Sequence, residues 1–192
     1  MRLLINFLVI SCIGLALGAY SAQYALNQSY GIGAIQVGSW SAKPFVGGAA
    51  IDPYTAARYA TDGTLPIGAA EGLVFEAQAD EAGDILDLGC QYKIVGSVPQ
   101  SRVWTLAAYS QDREIVTAAN GNLAAVHSAS IVRSHDNSFE VFLNRSPSSG
   151  NWMAMSGTGS FKLLLRVYDT PISNNSEINA PQMPKIIKQA CS

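Results

Sequence analysis

Residues 52–77 read DPYTAARYATDGTLPIGAAEGLVFEA, and two different periodicities meet inside that stretch. Asp52 has the chemistry of an N-cap, because a carboxylate accepts the free N–H groups of a first helical turn. Pro53 suits the first helical position, where its missing donor costs nothing. Tyr54, Ala57, Arg58 and Ala60 follow at helical spacing, and Gly63 can take the left-handed conformation that closes a helix. After the turn at Thr64-Leu65-Pro66 the period falls to two, with Leu73, Phe75 and Ala77 alternating against Val74, Glu76 and Gln78. That alternation predicts a half-buried strand.

Downstream the period-two pattern persists. Turn signals DEAGD, QDRE, NGN and SHDNS separate CQYKIVG, RVWTLAAYS, IVTAA, AAVHSASIVR and FEVFLN. A loop RSPSSGNWMAMSGTGS then leads into FKLLLRVYDTP. Short strands with almost no helix between them predict an antiparallel sandwich or barrel. The tail is read as a polar loop, followed by one helical turn opened by Pro184 and ending at Cys191. On the last long strand, Phe161, Leu163, Leu165 and Val167 form the core face, while Lys162, Arg166 and Tyr168 face solvent or a cleft.

Upstream lies MRLLINFLVISCIGLALGAYSAQ, where Arg2 precedes an apolar run from Leu3 to Ala19. Ala19-Tyr20-Ser21 fits the small-x-small rule of signal peptidase. The run, about 17 residues, is also just long enough to cross a bilayer uncleaved. Residues 1–22 are therefore read as a signal peptide or a membrane anchor, 23–51 as an extended lead-in that carries Trp40 towards the core, and 52–192 as the β domain. No charge follows Arg2 until Lys43, an asymmetry that favours export of what comes after. Cys12 lies inside the apolar run, which leaves Cys90 and Cys191 to pair in an oxidising compartment.

Composition excludes some functions. A net charge of −2 gives no basic surface of the kind nucleic acid demands. His127 and His135 are the only histidines and no Cys-x-x-Cys occurs, so no zinc site and no cofactor are expected. No Gly-x-Ser-x-Gly elbow is present, and His127 and Ser128, adjacent in a strand, would point to opposite faces.

The motifs DPYTAARYATDGTLPIGAAEGLVFEA, CQYKIVG, RVWTLAAY, NWM, FKLLLRVYDTP and MPKIIKQAC, in that order across residues 38–191, resemble the bacterial family called domain of unknown function 1214. Arg102 and Met153 depart mildly from its pattern. The resemblance implies a β-sandwich of jelly-roll character, often exported or membrane-anchored, with no agreed activity and so no catalytic residues to carry over.

Two sets of candidate residues remain. Glu71 is expected to hold the junction between turn and strand, paired with Arg58. The rival reading is a hydrolase or isomerase of an envelope metabolite in which Glu71, with Arg58 and Asp169, does acid–base chemistry at an elevated pKa. Trp104, Tyr109, Trp152 and Tyr168 could line a site for a small apolar molecule or a glycan. Trp152 would then sit in a loop, at the end of the sandwich. The leading expectation is a non-enzymatic binding or structural module of the envelope, in contact with the membrane through its N-terminal segment.

Overall fold

A computed structural model of the chain describes residues 2–27, 34–42, 51, 53–62, 67–68, 71–118, 121–171 and 181–191. The side chains of Tyr54, Arg58 and Asp62 fall outside that description. So do the capping residues expected at Asp52 and Gly63.

The apolar N-terminus is one helix, α1 (Arg2–Asn27), whose large side chains, Leu3, Phe7, Leu15 and Leu17 among them, are exposed. The lead-in contributes a short hairpin, β1 (Ile35–Val37) and β2 (Trp40–Ala42), turning at Gly38 with φ 59°. Helix α2 (Pro53–Asp62) begins at the expected proline, and β3 (Gly72–Ala77) follows. The remaining strands are β4 (Cys90–Gly96), β5 (Val103–Ser110), β6 (Ala125–His127), β7 (Phe139–Asn144), β8 (Asn151–Ala154), β9 (Phe161–Tyr168) and β10 (Lys185–Cys191).

Among the described residues these strands form two sheets, ordered β1-β2-β3-β9-β5-β6 and β10-β4-β7-β8. One core lies between them. Leu73, Phe75, Trp104, Leu106, Phe161, Leu163, Leu165 and Val167 enter it from the first sheet, and Tyr92, Ile94, Phe139, Val141, Leu143, Met153 and Ile186 from the second. Aromatic pairs bridge the sheets: Trp104 stacks on Phe139 at 5.2 Å, and Tyr92 meets Phe161 edge-on at 5.8 Å. Each fully buried aliphatic side chain contributes about 1.5–3 kcal/mol, so this core is the principal source of stability.

Four expectations are corrected. The C-terminal segment is not a helical turn but β10, antiparallel to β4 from Lys185↔Val95 to Cys191↔Cys90. The pairing with β4 and the Cys90–Cys191 disulfide override the local helical pattern. Trp152 stands on a strand, β8, rather than in a loop. That strand runs parallel to β7, so the second sheet is mixed rather than antiparallel throughout. IVTAA supplies only isolated bridges at Ile115 and Thr117 instead of a strand.

Candidate functional site

The arrangement starts from alternation on β9. Its odd positions fill the core, so Lys162, Leu164, Arg166 and Tyr168 emerge on the outer face of the first sheet. Register then sets their neighbours. Val74 and Thr105 flank Arg166, with His127 one strand further out, and Val103 pairs with Tyr168. Leu164 lies between Glu76 and Ala107, and Tyr109 opposes Lys162.

Charges on this face are partly matched. Lys162 Nζ lies 3.7 Å from Glu76 Oε2. Arg166 pairs with no carboxylate among the described residues. It donates instead to the Tyr109 hydroxyl at 3.1 Å, with the guanidinium carbon 5.4 Å from the ring centroid. In register this bridge crosses Ala107, which is only 4% exposed although its side chain points outward. Among the described residues the half-buried guanidinium is therefore held by an aromatic ring and by no acid.

The carboxylates expected to act together meet at one end of the same sheet, through backbone. Asp169 donates its N–H to the Glu71 carbonyl at 2.8 Å, immediately beyond the Gly72↔Tyr168 pair. It adopts φ 53°, a left-handed conformation that Asp tolerates better than most residues. The Asp169 carboxylate accepts from Arg102 Nε at 3.0 Å, with the two side chains 70% and 75% exposed. So open an ion pair contributes at most about 1 kcal/mol. Glu71 is exposed in a turn whose N–H donates to the Gly68 carbonyl at 2.8 Å. Its expected partner, the Arg58 side chain, lies outside the described residues. Both carboxylates face water.

The four aromatic candidates do not converge. Trp104 is core, 1% exposed, with the Arg133 guanidinium 5.6 Å from its ring. Tyr109 and Tyr168 share the outer face of the first sheet. Trp152 shares a row with Phe142 on the outer face of the second and donates its indole N–H to Asn144 Oδ1 at 2.7 Å. Sequence reasoning did not put Arg166 or Arg102 among the candidates. The signal for Arg166 was its parity with Tyr168 on one strand. For Arg102 there was none, since its partner is 67 residues away. Among the described residues no group of three or more His, Cys, Asp or Glu is placed to hold a metal ion.

Comparison with known proteins bears on the fold. The family model described as "Protein of unknown function (DUF1214)" matches residues 71–172, the span from Glu71 through β9. The VPA0106 protein of Vibrio parahaemolyticus superposes with a TM-score of 0.57 at 15% identity, covering 73% of this chain and 36% of that one. An uncharacterised protein of Burkholderia cenocepacia gives a TM-score of 0.42 at 19% identity, covering 67% of this chain and 33% of the other. The chain thus spans about a third of the length of either solved structure. No curated protein matches.

Proposed function

The chain belongs to the DUF1214 family, and on that premise we propose that it is a membrane-anchored module of the bacterial cell envelope. Its β domain lies outside the cytoplasm and binds a small ligand rather than transforming one. The observation that carries this reading is α1. Over Arg2–Ala25 it is apolar, and no residue of its most apolar stretch is buried in the rest of the chain. At 1.5 Å per residue those 24 residues reach about 36 Å, enough for a hydrocarbon core of about 30 Å. Arg2 on the near side and the uncharged stretch beyond favour an N-terminus left in the cytoplasm.

The Cys90–Cys191 bond supports the same placement, because structural disulfides persist in oxidising compartments. We extend the proposal to the architecture: the two sheets around one core are a sandwich of jelly-roll character, as the family resemblance implies. The binding part rests on the outer face of the first sheet, where Arg166, Tyr109 and Tyr168 stand half-buried on a rigid scaffold.

Fractionation of host cells tests the placement. The chain should stay with membranes through an alkaline carbonate wash, and protease added to spheroplasts should digest the β domain. Recovery in the cytosol with both cysteines free to alkylate would overturn the proposal.

A further inference from the structure

Charged groups withdrawn from water are normally matched by an opposite charge. Among the described residues on the outer face of the first sheet, that matching fails at one. Lys162 has Glu76, and at the sheet end Arg102 has Asp169. Arg166, half-buried at the centre of β9, has no carboxylate among the described residues and only the Tyr109 hydroxyl as side-chain partner. Arg166 is therefore a positive charge with no carboxylate partner among the described residues, and its planar fork matches a carboxylate.

We propose that this face binds a small monocarboxylate with a flat apolar body, its carboxylate on the Arg166 guanidinium. The inference rests on the binding reading above and adds the class of ligand. Register supplies the rest of the site. Thr105 and His127, one and two strands away in the same row, offer hydrogen-bonding groups on one side of Arg166. Val74, in that row on the other side, and Tyr168, two residues along β9 itself, offer apolar surface. Tyr109 holds the guanidinium across Ala107, so little side-chain freedom is lost on binding. A dianion such as a phosphate monoester would need a second free cation, and Lys162 is already engaged.

Full-length protein in a neutral detergent is titrated with 3-phenylpropionate, 3-phenylpropanol and phenyl phosphate by calorimetry at pH 7.5. The account expects saturable binding of 3-phenylpropionate, with the alcohol and the phosphate each at least tenfold weaker. Arg166→Gln should weaken the acid at least tenfold, and Arg166→Lys, which keeps the charge but loses the fork, should fall between. Equal binding of acid and alcohol, tighter binding of the phosphate, or no binding of the acid would each overturn the assignment, with no variant needed. If Arg166→Gln stays folded by circular dichroism, unchanged affinity would overturn it too. Fractionation decides placement independently of this titration, so either proposal can fail alone.

Discussion

Trp40 donates its indole N–H to the Pro184 carbonyl at 2.7 Å, across 144 residues of chain and in a buried setting. Trp40 belongs to the first sheet, and Pro184 immediately precedes the edge strand of the second. The bond therefore ties the two sheets together near both ends of the β domain. Replacing Trp40 by Phe keeps an aromatic ring and leaves the carbonyl unpaired. The loss should be about 1–3 kcal/mol for the bond, increased by the volume removed, and urea unfolding would read it. A variant as stable as the parent would mean the tie is incidental.

The disulfide joins residues directly opposite in register on β4 and β10 and closes a loop of 101 residues. On a chain-entropy account it is worth about 4–5 kcal/mol. The double variant Cys90→Ala/Cys191→Ala should lower the urea midpoint accordingly. Hydrogen exchange should show the loss first in β10, where Ile186 is the buried anchor.

High pH should loosen the same strand. Burial pushes the Tyr92 hydroxyl above the usual tyrosine range, and the hydrogen bond to Asp84 raises the Lys188 ammonium. For both groups the folded state holds its proton more tightly than the unfolded chain. Their stabilisation is complete below the unfolded values, 10.0 and 10.5, and is lost as pH rises through the higher folded ones. Unfolding midpoints measured from pH 7 to 11 should stay level and then fall above about pH 10. Lys188→Gln should remove part of that fall.

Gly72 is required by proximity. A Cβ built there would lie 2.2 Å from the Val167 carbonyl oxygen on β9. Gly72→Ala must push β3 away from β9 or distort both, with a cost of about 1–3 kcal/mol or more. Gly83, in a turn at φ 88° with open space around it, provides the contrast. There alanine should suffer only backbone strain, about 1 kcal/mol, and a thermal melt should rank the two. Equal effects would contradict the proposed close approach.

Period-two alternation made β3, β4, β5, β7 and β9 legible in sequence, because each has one face in the core and one outside. The 3.6-residue pattern and Pro53 did the same for α2. What escaped was set by distant partners. KIIKQAC reads equally well as a helical turn until β4 and Cys90 are beside it. NWMA is too short to read as a strand unless β7 is in place to receive it. The site was legible only in part for the same reason. Parity on one strand placed Tyr168 with Arg166, but the Tyr109 contact and the unmatched charge depend on which strands lie side by side.

The central claim is that this chain is an anchored protein whose β domain is oxidised outside the cytoplasm. An intact mass spectrum of the protein from host membranes, taken before and after reduction, tests it most directly. The account predicts a chain that retains α1 and gains two hydrogen atoms on reduction, from the Cys90–Cys191 bond. A chain lacking α1 would contradict the anchor, and an unchanged mass on reduction would contradict the oxidising side.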